Sequence, residues 1–227
     1  MSDTVLEFKS VCYLDDSEHT TAVQNSSFRL SAGDMMMVRS DADTEHAPIV
    51  DLGLGLVAPA SGTILFEGID WAEMDAFEEA ACRGRIGSVF DAPGWVSSLR
   101  VIDNIMLRER HHTSREDSEI HEEVEELVSI AGISDSHDIY LRPAVVRQRR
   151  LRVYEWVRAC MGSPALVIMA FPEHGASSRT LEYVLKLTEH MAAKGSAVFM
   201  LTAGDIILNH EKNDKWQIVN GPELFCP

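Results

Sequence analysis

Two unbroken apolar runs constrain this chain more than any other feature: Leu166–Phe171 (LVIMAF) and Ala197–Leu201 (AVFML). A strand with one wet face alternates apolar and polar residues, so a run of strand length without alternation needs cover on both faces. Between them, Leu181–Met191 has helical periodicity and ends before Gly195. Fully buried strands alternating with helices predict a parallel α/β sheet sandwiched between helices. Met35–Val38, Ile86–Phe90 and Trp216–Val219 read as further strands of the same kind.

The first third of the chain reads differently. Val5–Tyr13 alternates, as a half-exposed strand does. A polar turn over Asp15–Thr20 follows, then a strand at Ser26–Leu30, a tight turn at Ser31–Asp34 and a strand at Thr63–Glu67 turned by Gly68. These strands predict an antiparallel front. Helices are expected at Ile49–Leu56, closed by Pro59 and Gly62, at Trp71–Cys82, and at Pro143–Met161 with proline near its start. The clearest is Ser114–Ala131. Ser114 and Asp117 make a capping-box pattern, Ile120, Val124, Leu127, Val128 and Ala131 form one apolar stripe, and Gly132 closes it. With 227 residues, 45% of them hydrophobic, the chain suits one large domain over 1–227.

Charge narrows the function classes. Twenty basic residues against 36 acidic give a net charge of −16, which excludes the basic footprint of a nucleic-acid binder. No apolar run approaches the roughly 18 residues that span a bilayer, and Met1–Phe8 lacks a leader pattern. The expectation is a cytoplasmic chain whose membrane association goes through a protein partner. Cys12, Cys82, Cys160 and Cys226 have neither metal nor redox spacing and read as reduced thiols. His111, His112 and His121 sit in a polar stretch and read as a solvated helix entry rather than a metal site.

The punctuation of the chain resembles, from about Val5 to Gly221, the nucleotide-binding domain of ABC transporters. Ser31-Ala-Gly-Asp34 looks like the turn before that family's phosphate-loop strand. Pro59-Ala-Ser-Gly62 with Phe66-Glu-Gly68 looks like its Pro-x-x-Gly-x-Ile-x-Phe-x-Gly segment. Gly87-Ser-Val-Phe90 followed by Val101-Ile-Asp-Asn-Ile105 resembles the run from the Q-loop strand into the helical subdomain. Arg158-Ala159 and Pro164-Ala-Leu-Val-Ile168 resemble the end of the signature helix and the Walker B strand, and Pro172 stands where the family has the proline after its catalytic glutamate. The resemblance implies a P-loop NTPase-like ABC nucleotide-binding domain: an antiparallel β subdomain, a parallel core sheet and a helical subdomain inserted at about 92–160. The run Val101–Leu107 also looks like the ATPases of mammalian-cell-entry-type lipid transport systems.

The positions that carry catalysis in that family are occupied by other residues here. A phosphate loop uses glycines so that backbone N–H groups converge on phosphate, a lysine for charge and a hydroxyl for Mg²⁺. The matching positions run from Ser40 to Ala47, with Ser40 and Glu45 for the glycines, His46 for the lysine and Ala47 for the hydroxyl. Asp41, Asp43 and Glu45 add three acids where a triphosphate would lie. Like charges at close range cost several kcal/mol, by order of magnitude, at an effective dielectric near 20. The Walker B acids align with Ala170 and Phe171, the Q-loop glutamine with Asp91, the switch histidine with Ala203, and the signature motif with Val146-Arg-Gln-Arg-Arg150. The resemblance therefore implies a cassette with no catalytic residue, no bound nucleotide cofactor and no metal ion.

Two surfaces remain as candidates. In the family two domains meet head to tail, and the signature segment faces the opposite phosphate loop. Arg142, Arg147, Arg149, Arg150, Arg152 and Arg158 form the one basic cluster, read either as a solvated helix face or as an interface; Arg147, Arg149 and Arg150 stand on that segment, in a chain that offers Asp41, Asp43 and Glu45 opposite. Arginine–carboxylate pairs between chains are expected to hold a homodimer together, or a heterodimer with another ABC ATPase-like subunit. The loop Asp91, Pro93, Gly94 and Trp95 matches the region that receives an integral-membrane permease, with Trp95 as anchor or as a cap on the core. A repurposed ATP-hydrolysing subunit and a free-standing scaffold stay open as alternatives.

Overall fold

The computed structural model describes residues 3–15, 20–39, 48–90, 94–203 and 216–220. In chain order these hold β1 (Thr4–Asp15), β2 (Thr20–Ser31), β3 (Met35–Arg39), α1 (Pro48–Gly53), β4 (Ser61–Phe66) and β5 (Ile69–Asp70). Then come α2 (Ala76–Arg83), β6 (Ile86–Val89), α3 (Val101–His112), α4 (Asp117–Ile130) and α5 (Gln148–Cys160). The last are β7 (Leu166–Ala170), α6 (Ser178–Ala193), β8 (Ala197–Thr202) and β9 (Gln217–Asn220). The antiparallel front is a four-stranded sheet in the order β2-β1-β4-β5, and the core is a parallel sheet in the order β6-β7-β8-β3-β9. Both sheets are of the kind the alternating and continuous apolar patterns predict.

The apolar runs sit where their composition requires. Every residue of β7 and β8 is buried, and β7 runs in register between Ile86 of β6 and Ala197 of β8 at its Leu166 end. In β3, successive side chains point to opposite faces of the sheet. Met35 and Met37 enter one hydrophobic cluster, with the helices, while Met36 and Val38 enter the other, with the antiparallel sheet. The first cluster also holds Ile102, Ile105 and Met106 of α3, Ile120, Val124 and Leu127 of α4, and Trp156 and Val157 of α5. Each such side chain contributes about 1.5–3 kcal/mol on burial. Gly62 keeps its place in the Pro-x-x-Gly segment for a steric reason: at φ +89°, a Cβ there would lie 2.4 Å from the Ser10 carbonyl oxygen of β1.

Four helix boundaries depart from the sequence reading. The Ser114–Asp117 capping box does not form. The helix starts at Asp117 with Glu116 as N-cap and no side-chain cap bond, because the Asp117 carboxylate is taken bidentately by Arg110, at 3.0 and 2.7 Å. The expected helix over Trp71–Cys82 is split. Trp71–Glu73 is a 3-10 turn capped by Asp70, Met74 is extended, and α2 restarts on a capping box made by Asp75 and Glu78. The helix expected from Pro143 begins at Gln148, after a 3-10 turn at Pro143–Val145 and an extended Val146. The helix expected over Ile49–Leu56 stops at Gly53, where the backbone turns with Leu56 N donating to the Asp51 carbonyl.

Candidate functional site

In a parallel α/β sheet, ligands meet the protein at the carboxyl ends of the strands. Here those ends are tied together from within. Arg152, on the second turn of α5, is buried with 5% of its side chain exposed and bridges the ends of two strands, β6 and β7. Its Nη1 donates to the Phe90 carbonyl just beyond β6 at 2.7 Å and to Glu155 Oε2 at 2.8 Å. Its Nη2 donates to the carbonyls of Phe171 at 2.7 Å and Ala170 at 3.3 Å, just at the end of β7. Glu155, its partner one turn on, is 3% exposed.

Phe171, at the position matched to the catalytic glutamate, has a left-handed backbone with φ +46°. That conformation costs a β-carbon-bearing residue about 1–3 kcal/mol and persists only where surroundings enforce it. The enforcement is visible. The Phe171 N–H donates to the Leu201 carbonyl of β8, its carbonyl accepts from Arg152, and its ring is buried and stacked on His174 at 5.1 Å. Two residues on, Glu173 Oε1 accepts from Thr202 Oγ1 at 2.7 Å and from the Ala203 N–H at 2.8 Å. Ala203, the position matched to the switch histidine, has no side-chain donor, and its backbone N–H is taken by Glu173.

The signature segment divides. Arg150 is committed inside the chain: Nε and Nη2 donate to Asp138 at 3.0 and 2.9 Å, Nη2 also bonds the Asp135 carbonyl, and the guanidinium lies over the Tyr154 ring. Burial pushes the Asp138 carboxyl up, but hydrogen bonds from Arg150 and Tyr154 outweigh it and hold it below the ordinary range. Burial and the Asp138 acceptor push the Tyr154 hydroxyl well above its usual value. Arg147, the N-cap of α5, and Arg149 are exposed. Val145, beside them, is 69% exposed.

Of the loop expected to dock a permease, Gly94 is exposed and Trp95 is half-buried against the helical cluster. Arg158 sits 4.7 Å over the Trp95 ring and donates to the Gly94 carbonyl at 2.6 Å. Burial lowers the Arg158 pKa. Asn104, 4% exposed, clamps the same loop by accepting from the Val96 N–H and donating to the carbonyls of Val96 and Arg100. Ser40, Asp41, Asp43, Glu45, His46 and Ala47, and with them Asp91 and Pro93, lie outside the described residues. Glu155 and Glu173 were not singled out by sequence, and Arg152 only as one arginine of the basic cluster. Arg152 and Glu155 left a signal, opposite charges three apart on a helix that is otherwise apolar at those turns.

No family model matches the chain. The methionine import ATP-binding protein MetN of Vibrio vulnificus is 21% identical over 212 residues, covering 93% of this chain and 61% of that protein. The chain thus spans about three-fifths of that relative's length. Among solved structures, the dimeric bacterial ABC transporter cassette MJ0796 superposes with a TM-score of 0.81 at 16% identity, over 95% of this chain and 94% of that one. The cbiO1 protein of Clostridium perfringens, described as part of the ABC transporter complex cbiONQ, gives 0.72 at 18% identity over 89% and 79%.

Proposed function

We propose that this chain, which has the fold of an ABC-transporter ATP-binding cassette and is similar in sequence to ABC ATP-binding proteins, is a subunit that keeps the shape of the cassette without hydrolysing ATP. The observation that carries the reading is at the end of β7. The two positions matched to the Walker B acids are Ala170 and Phe171, and the Phe171 ring is buried with 2% exposure. Phosphoryl transfer relies on a held metal, on charge that neutralises the phosphates and on a positioned water. Neither residue supplies any of these, and the sequence at 40–47 adds acids where phosphate needs donors. Glu173, two residues beyond Phe171, is engaged through Oε1 with Thr202 and Ala203.

Titration calorimetry of the purified chain with MgATP is expected to give no heat of binding up to millimolar nucleotide, and a phosphate-release assay no turnover above buffer. Micromolar affinity or sustained release overturns the reading in favour of a repurposed ATPase.

The fold relatives support a place in a complex: MJ0796 is dimeric and cbiO1 is part of a transporter complex. In this reading the subunit pairs with a second cassette and sits on the inner face of the membrane through an integral-membrane permease. Among the described residues no helix is long and apolar enough to cross a membrane. The contact with the second cassette is assigned to Arg147 and Arg149, which the fold leaves exposed, meeting Asp41, Asp43 and Glu45 of the opposite chain. Arg150 acts within the chain, as the buttress of Asp138. Reversing both charges, Arg147→Glu with Arg149→Glu, is expected to weaken a homodimer by at least about tenfold, since like charges face each other across the contact. Light scattering over a dilution series reads this. An unchanged mass removes the arginines from the interface.

A further inference from the structure

α2 is a helix with no buried residue. It is held down by a polar clasp. Arg83 pairs with Glu79 at 2.5 Å, donates to the Gly55 carbonyl at 3.0 Å and stacks over the Trp71 ring, and Cys82 touches the core beside it. With Glu79, Cys82 and Arg83 turned inward, helical spacing puts Phe77, Ala80 and Ala81 outward, and all three are exposed. Phe77 is 83% exposed, more than any other large apolar side chain among the described residues. It does not stand on a frayed end. Asp75 accepts from the Phe77 and Glu78 N–H groups at 2.8 Å, and Glu78 returns a bond to the Asp75 N–H at 2.9 Å, closing a capping box around it. The outward stripe leads into a cavity of about 310 Å³ whose apolar wall is Ala81, Pro164 and Ala165. Arg108 at its edge is spent on the carbonyls of Ile86 and Met161.

In sequence, the outward charges flanking Phe77 are acidic: Asp70, Glu73, Asp75 and Glu78 have no base among them, while Glu79 is paired inward with Arg83. A lone exposed ring is ordinary, but here Phe77 is continued by exposed Ala80 and Ala81 into the Ala81–Pro164–Ala165 cavity wall, an apolar strip beside acidic side chains.

We infer that α2 is a docking surface for a basic protein segment with an apolar socket for Phe77, and that this segment is a cytoplasmic loop of the membrane-embedded partner. The inference rests on the reading of the chain as a permease-bound subunit, and adds a contact outside the loop at Trp95. Charge selects the occupant. Anionic lipid and nucleic acid are repelled by the same acids. Short cytoplasmic loops of membrane proteins carry an excess of Lys and Arg, which is the complement required. An aromatic side chain on a rigid turn, ringed by charge, has the character of an interface anchor.

The test is co-sedimentation of the purified chain with membranes of the source cells stripped of peripheral proteins. Trypsin-shaved membranes and protein-free phosphatidylglycerol–phosphatidylethanolamine vesicles run in parallel. The wild-type chain is expected to sediment with the native membranes only, less so as salt rises, and Phe77→Ala and Glu73→Lys each to weaken this by about tenfold. Both positions are exposed, and matching melting curves confirm that the variants fold. If the wild type sediments and both variants match it, α2 is not the contact and the docked-subunit reading stands without it. Equal binding to vesicles assigns the contact to lipid and overturns the inference. A loss of dimer mass in Phe77→Ala, with membrane binding intact, assigns α2 to a second copy and also overturns it. If the wild type fails to sediment with native membranes at all, the docked-subunit reading itself falls, and this inference with it.

Discussion

Replacing Arg152 with methionine is expected to cost about 3–5 kcal/mol of unfolding free energy, the range found when one partner of a buried ion pair is removed. The cost comes from what is left behind. Glu155 would be left at 3% exposure without its guanidinium partner, and the carbonyls of Phe90, Ala170 and Phe171 would lose their shared donor. Removing both charges, Arg152→Met with Glu155→Met, is expected to recover much of the loss, because a well-packed apolar pair of similar volume is often as stable as the ion pair. Urea unfolding with an unchanged slope separates the cases. A single variant as stable as the wild type would mean that the pair is hydrated and that Phe171 holds its left-handed backbone unaided.

Gly87→Ala is expected to be at least as damaging. Gly87 lies in the middle of β6, directly against α5, and a Cβ added there would fall 1.7 Å from the Ala159 carbonyl oxygen. Backbone on both sides leaves no flexible side chain to yield, so strand and helix must separate and the core on either side must follow. Overpacking of this kind costs about 1–3 kcal/mol even in more forgiving places, and more where backbone has to move. Gly94→Ala, at a position with open space around it, supplies the control and is expected to fall within about 0.5 kcal/mol of the wild type. Thermal melts of the two side by side decide it. Equal melting temperatures would mean that β6 and α5 lie further apart than the fold requires.

The parallel core was legible because Leu166–Ala170 and Ala197–Thr202 leave no alternative to burial on both faces. The antiparallel front was legible from alternation in Val5–Tyr13, although its strands extend further, to Asp15 and Ser31. α3 was not read as a helix. Asn104 and Glu109 interrupt its apolar stripe yet are themselves buried, Asn104 by clamping the Val96 loop and Glu109 by pairing with Arg108 and Arg115. Periodicity sees polarity, and it cannot see that a polar group has found partners. The same blindness hid Arg152 and Glu155, which look like a solvated helix face in one dimension. The capping box was placed on the wrong helix for a related reason. Asp75 and Glu78 have the right spacing and free carboxylates, whereas Asp117 has the spacing and is claimed by Arg110. The candidate site was legible only as a set of substitutions along a motif. What stands in their place, a buried ring whose backbone carbonyl is held by a buried guanidinium, required the third dimension.

β3 has a consequence for how the molecule comes apart. Its methionines alternate between the two hydrophobic clusters, Met35 and Met37 on one side and Met36 on the other, so the strand is common property of both. Neither cluster can lose order without withdrawing packing from a strand the other depends on. The antiparallel front and the helical insertion, which look separable in outline, are therefore thermodynamically coupled through five residues. Heating should disassemble them together, in one calorimetric transition whose van't Hoff and measured enthalpies agree.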